Sequence, residues 1–182
     1  RADTDIDFTD RNIDTRVFPP TQAERELYDA VSEYVRTVYS EDQGQKLVLM
    51  LLQKEVVSSP AALEQTILNQ LEDDTKRSHP KLLADIQQRI NDIDEVTKQQ
   101  RLFDIVEEAR EHVEKGRVIV FTQFRPTQRE LISGLDDAGY NTHPFHGGHS
   151  ADEKEVIIDR FREEGGVLVS TDAMNEGRNV QF

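Results

Sequence analysis

Three short stretches hold the residue types that could grip phosphate. The first is Thr122-Gln123-Phe124-Arg125 and the second is His146-Gly147-Gly148-His149. The third runs from Ser170, Thr171 and Asp172 through Asn175, Glu176, Gly177 and Arg178 to Asn179. Hydroxyls, amides, glycines and arginines at helix entries suit phosphate oxygens, because the first turn of a helix leaves its N–H groups unpaired. Arg125 and Arg178 are equally open to ion pairs with surface acids. No nucleophile stands at a spacing that gives it a base, and Glu107/Glu108 and Glu163/Glu164 read as solvated helix faces.

Each stretch follows an apolar run that must position it. Val118-Ile119-Val120-Phe121 reads as a strand, Asn141 to Phe145 as a second, and Val167-Leu168-Val169 after Gly165-Gly166 as a third, buried on both faces. Between them Pro126 opens a helix ended by Gly139. Ser150-Ala151-Asp152-Glu153 forms a capping box for a helix expected to bury Val156, Ile157 and Phe161. Strand, helix, strand, helix, strand with short connections demands parallel strands and a doubly wound α/β lobe. In such a sheet ligand groups sit past the carboxyl ends of the strands, which places the three stretches on one rim.

Upstream the period is helical. Thr21-Gln22-Ala23-Glu24 is another capping box, followed by Leu27, Val31, Tyr34, Val35 and Val38 at helical spacing. Lys46–Val57 is apolar nearly all round, so a buried helix is expected. Ser59 caps the next helix with Pro60 at its first position, and Leu63, Ile67 and Leu71 mark its inner face. Leu82/Leu83, Ile86, Ile90 and Ile93 mark a further helix. Leu102, Val106, Ala109 and Val113 mark another, expected to stop at Gly116. The reading is an extended lead-in over 1–19, a helical region over 20–115 and an α/β lobe over 116–182.

Two tempting sites are set aside. Gly134 and Gly139 have the glycine spacing of a phosphate-binding loop, but Tyr140 and Asn141 stand where Lys and Ser/Thr belong, and Asp136 and Asp137 would repel phosphate. His143, His146 and His149 lack carboxylate support, so no metal site is expected.

Composition excludes more than it assigns. With 36 acidic against 22 basic side chains the formal net charge is −14, so any nucleic acid must be met by a local basic patch. The absence of cysteine excludes disulfides and thiolate metal sites. The longest apolar run, Leu47 to Leu52, is too short to span a bilayer, and no signal peptide opens the chain, so a cytoplasmic protein is expected. The first and last residues read as cut from something longer.

In this order and spacing the motifs carry a resemblance. Val118 to Phe124 looks like motif IV of the Swi/Snf-type ATPases of helicase superfamily two. His146-Gly147, followed by the capped helix to Arg160-Phe161, resembles their "HG … F" segment. Ser170 through Gln181 is similar to their motif V, usually close to S-T-D-A-G-G-E-G-L-N-L-Q. Gln22 to Tyr28 and Leu52 to Pro60 resemble the segment linking the two lobes in the bacterial RNA-polymerase-recycling branch.

The resemblance implies a second RecA-like lobe of a double-stranded-DNA translocase that closes on ATP and Mg²⁺ in the two-lobe enzyme. It places Thr122, Gln123, Phe124, Arg125, His146, Gly147, Ser170, Thr171 and Asp172 against the DNA backbone. It places Glu176, Gly177 and Asn179 toward nucleotide. A protein partner such as RNA polymerase is implied by the branch. Met174-Asn175 replaces the usual glycine pair, which stiffens the turn, and Arg178 replaces leucine, which adds positive charge beside the rim. Motif VI with its arginines, Walker A and Walker B have no counterpart in these 182 residues. No catalysis is therefore expected of this piece alone. The rival reading is a non-catalytic helicase-like module that docks a protein partner through residues 20–115.

Overall fold

The computed structural model describes residues 13–72 and 79–171. Thr21 does start a helix, α1 (Gln22–Glu41), with both halves of its capping box formed. Its inner residues Leu27, Val31, Tyr34 and Val38 are buried against α2 (Lys46–Ser58), α3 (Pro60–Glu72) and α4 (Pro80–Asn91). Leu49, Leu52, Leu63, Ile67, Leu83, Ile86 and Ile90 complete this cluster. Ser59 Oγ accepts from the Ala62 N–H at 3.1 Å, which caps α3 as its position before Pro60 predicts.

Helix α2 departs from the expectation of burial on all sides. Leu49 and Leu52 face inward, but Leu47 is 81% exposed, and Val48, Met50, Leu51 and Val57 are exposed too. An all-apolar helix buries only the faces for which it has neighbours, and α2 has α1 on one side and α3 on the other.

Helix α5 (Thr97–Arg110) behaves differently from the four before it. Its Val106 packs with Val120, Leu131, Leu135, Val167 and Val169, so it belongs to the core of the sheet and not to the α1–α4 cluster. The helical region read over 20–115 thus divides by packing at the start of α5. The helix also ends at Arg110, before the expected stop at Gly116, and Val113 lies beyond it on the surface. Gly116 serves instead in a tight turn, with φ +60°, that feeds the first strand.

The sheet consists of β1 (Val118–Phe121), β2 (Thr142–Phe145) and β3 (Val167–Ser170) in the order β1-β3-β2, all parallel. Helices α6 (Arg125–Asp137) and α7 (Ala151–Glu164) connect them. All four residues of β3 are buried, as its central place requires. In α7 the phase differs by one residue from the expectation. Ile158 and Phe161 are buried and Ile157 is partly buried, whereas Val156 is half exposed. Three consecutive β-branched residues fan over just more than half a turn, so periodicity alone leaves which of them points inward open by one position.

The two cores are joined by hydrogen bonds. Glu24 accepts from the Thr97 N–H at 2.8 Å and from the Thr97 hydroxyl at 2.7 Å, while its Oε2 also serves Thr21 N–H. Burial pushes this carboxyl up, but the bonds from Thr97 and Thr21 outweigh it and hold Glu24 below the usual carboxylate range. Ser58 and Ser59 hydroxyls meet Thr127 Oγ1 at 2.9 and 2.8 Å, which ties the α2–α3 corner to α6.

Candidate nucleic-acid interface

The register of the sheet decides which loops are neighbours. Phe121 pairs with Ser170, and Ser170 with Phe145, so the three strands end level with one another. One residue further, the Thr122 N–H donates to the Ser170 carbonyl at 2.9 Å and the Thr171 N–H donates to the Phe145 carbonyl at 3.0 Å. Thr122, His146 and Thr171 therefore stand side by side on the carboxyl rim.

A residue outside the three stretches holds that rim. Gln128 is 1% exposed, and its Nε2 donates to the Phe145 carbonyl at 2.8 Å and to the Val169 carbonyl at 2.7 Å. One α6 side chain thus clamps β2 and β3 at their ends. The signal was present in the chain: Gln128, Leu131 and Leu135 recur at i, i+3 and i+7, so a polar residue sits on the buried face of α6.

Of the residues implied by the resemblance, Gln123, Arg125 and Gly147 are exposed, and Thr122, Phe124 and His146 are half-buried. Ser170 and Thr171 are different: both are buried, and the Ser170 hydroxyl donates to the Thr171 carbonyl at 2.7 Å. They build the floor of the rim. Asp172, Glu176, Gly177 and Asn179, with Arg178, lie outside the described residues.

Arg125 opens α6, with Phe124 as its extended cap residue and no side chain capping the helix N-terminus. The first turn of α6 therefore keeps free donors beside the guanidinium. Arg125 makes no salt bridge with any described residue, and its Nη1 lies 3.3 Å from where a Cβ on Gly148 would stand. Helix α7 contrasts with α6: Ser150 and Glu153 satisfy its first N–H groups reciprocally, at 3.2 and 2.7 Å.

The second stretch folds so that His146 and His149 stack, with ring centroids 3.6 Å apart and planes 21° apart. Burial first, then the neighbouring His149 and Arg125, push the His146 imidazole below its ordinary pKa. Burial also lowers His149, with Glu153 opposing and Arg125 and Lys154 adding to the shift. His143 takes no part in this pair. It is buried in β2, edge-on to Phe161, and its Nε2 bonds the Gly165 carbonyl at 2.9 Å, before the start of β3.

Beside the rim, a cavity of ≈ 980 Å³ opens between the α2–α3 corner, α5 and the end of β1. Val57, Leu102, Phe121 and Phe124 form much of its wall and Thr127 and Glu130 are among its polar groups. Burial raises the Glu130 carboxyl, with a bond from Ser59 opposing.

Residues 97–182 match the family described as helicase conserved C-terminal domain. The "Uncharacterized ATP-dependent helicase YqhH" of Bacillus subtilis is 31% identical over 183 residues, covering 100% of this chain and 32% of that protein. The "Putative ATP-dependent RNA helicase MJ1505" of Methanocaldococcus jannaschii is 33% identical over 87 residues, covering 44% of this chain and 11% of that protein. The chain thus spans about a third of the former relative. The crystal structure of the Pyrococcus furiosus Hef helicase domain superposes with a TM-score of 0.59 at 18% identity, over 88% of this chain and 46% of that one. It shares the fold, helices followed by a RecA-like parallel sheet.

Proposed function

We propose that the chain, whose residues 97–182 match the helicase conserved C-terminal domain, is the second lobe of a Swi/Snf-type translocase of helicase superfamily two gripping the backbone of double-stranded DNA. The observation that carries the reading is the alignment of the strand ends. Thr122, Arg125 and His146 stand on one rim, over a floor made by Ser170 and Thr171, and Arg125 has no acidic partner among the described residues. A free guanidinium beside an uncapped helix start attracts phosphate oxygens and reads no sequence. In a chain of net charge −14 such a local positive site is what nucleic acid needs.

ATP and Mg²⁺ would enter between this lobe and a partner lobe. Glu176, Gly177 and Asn179 of the motif V-like segment would face the nucleotide, and Asp172 would continue the DNA-facing rim. In-line phosphoryl transfer also needs a phosphate-cradling loop and an arginine finger, which this chain does not bring, so the chain's own part is to position DNA.

A second reading, docking of a protein partner such as RNA polymerase on the helical region, is favoured by the exposed apolar face of α2 at Leu47, Val48, Met50 and Leu51.

The test is fluorescence anisotropy of the chain with labelled duplex DNA, duplex RNA and single strands across a salt series. Duplex DNA should bind regardless of sequence. Arg125→Glu should weaken binding about tenfold for every sequence and make the salt dependence shallower by roughly one counterion. Binding confined to RNA, or unaffected by Arg125→Glu, overturns the reading.

A further inference from the structure

The stacked imidazoles beside Arg125 carry more information than their sequence motif does. The His146 N–H donates to His149 Nδ1 at 3.4 Å, and the Gly148 N–H donates to His146 Nδ1 at 3.2 Å. A backbone N–H can only donate, so both Nδ1 atoms are acceptors and carry no proton. A neutral imidazole with an accepting Nδ1 must hold its proton on Nε2. Neither Nε2 has a hydrogen-bond partner among the described residues. The rings are nearly parallel, so the rim presents two N–H donors near the Arg125 guanidinium, none of them partnered among the described residues.

We propose that His146, His149 and Arg125 form a clamp for a single backbone phosphate, in which two neutral imidazoles donate through Nε2–H and Arg125 alone supplies the charge. The proposal rests on the reading that this rim faces a nucleic-acid backbone, and it adds His149 to the contact set. Gly148 is what lets the parts converge. A Cβ there would stand 3.2 Å from His146 Nδ1 and 3.3 Å from Arg125 Nη1, a close fit in which each would have to give by a few tenths of an ångström.

Neutrality follows from the same geometry. Adding a proton to either ring places it on Nδ1, where a backbone N–H already points, and the loop bond must break. A cation on one ring would lie 3.6 Å from its partner ring and close to Arg125. Arg125 opposes charge on both rings and Lys154 on α7 opposes it on His149, whereas Glu153 on α7 favours it on both and the His146 backbone carbonyl favours it on His146. Glu153 is already engaged by the Ser150 N–H, so it offers only partial compensation. The depressed imidazole pKa values agree with rings that stay neutral near pH 7.

A neutral donor and a charged one differ in salt dependence, because only a charge releases a counterion when phosphate binds. The 182-residue chain is titrated with a short duplex DNA at several salt concentrations, as wild type, His149→Phe and Arg125→Gln. Phenylalanine keeps a ring in the stack and removes the Nε2 donor together with the Nδ1 acceptor of the His146 N–H, so the duplex-induced Nε2 shifts of the wild type separate lost phosphate contact from a loosened loop. Expected for His149→Phe is an affinity loss of about fivefold with the salt slope unchanged, and for Arg125→Gln a slope lower by roughly one. Nitrogen-15 NMR of the histidines at pH 7 should find both protons on Nε2, and duplex should shift both Nε2 resonances. Unchanged affinity in His149→Phe, a slope that falls with it, or a proton on either Nδ1 overturns the clamp while leaving DNA binding intact. A wild-type chain that binds no duplex overturns the functional reading and the clamp together, although the NMR tautomers would still be read.

Discussion

Thr66 donates its hydroxyl to Glu55 Oε1 at 2.9 Å across the α2–α3 interface, and Glu55 Oε2 has no partner among the described residues. The glutamate is 5% exposed. Burial pushes its carboxyl up to about 7, against the opposing bond from Thr66. A folded pKa above the unfolded one means that the native state holds the proton more tightly. Stability from this group therefore declines as pH rises from the unfolded value toward 7, and the full cost of burying the charge is present above that.

Glu55→Gln removes the charge and keeps the shape. At pH 5 the variant should match the wild type within about 1 kcal/mol, and at pH 8.5 it should be the more stable by on the order of 3 kcal/mol. Urea unfolding at the two pH values measures the difference. Other carboxylates, including Glu24 with its opposite shift, cancel in the comparison. A variant-minus-wild-type gap that stays constant with pH would show that the Glu55 carboxyl is solvated.

Gln128 should matter for its amide and not for its bulk. Gln128→Ala strips the donor from two buried carbonyls, at a cost of about 2–3 kcal/mol. Gln128→Glu is nearly isosteric but aims a carboxylate at the Phe145 and Val169 carbonyl oxygens. It should be the worse of the two at pH 8 and recover partly at pH 5, where the acid can donate one proton. Thermal melts of both variants at both pH values decide. Equal, pH-independent losses would mean that Gln128 only fills space.

The turn before β3 depends on glycine at two successive positions. Gly165 and Gly166 have φ of +73° and +98°, and a Cβ on each would stand 2.1 Å from the Lys115 carbonyl oxygen and 2.2 Å from the Asn141 carbonyl oxygen. Both obstacles are backbone of the segments leading into β1 and β2, so neither can swing aside. Gly139 has a similar φ of +83° with nothing within 4 Å of a Cβ. Gly166→Ala should therefore cost more than about 4 kcal/mol, and Gly139→Ala about 1–2 kcal/mol. Denaturant midpoints of the two variants give the comparison, and similar losses would mean that backbone strain, not the close approach, governs this turn.

What the amino-acid order determined by itself is local. The capping boxes at Thr21 and Ser150 form between residues three apart, and the Pro60 and Pro126 helix starts depend on a single ring. The apolar runs of β1 and β3, punctuated by Gly165-Gly166, set parallel strands alternating with helices and hence a common rim, while the spatial order β1-β3-β2 came from the tertiary structure. Tertiary structure decided what depends on distant partners. Which face of α2 is covered depends on where α1 and α3 lie, and α5 joins the sheet because Val106 meets Val120 and Val167. Gln128 is 41 residues from the Val169 carbonyl that it holds, and no periodicity names that partner. The stack of His146 on His149 has a short sequence separation, yet it too needed the fold. Only the closely turned glycine loop beside α6 brings Arg125 against the rings, and a motif of residue types carries no distances.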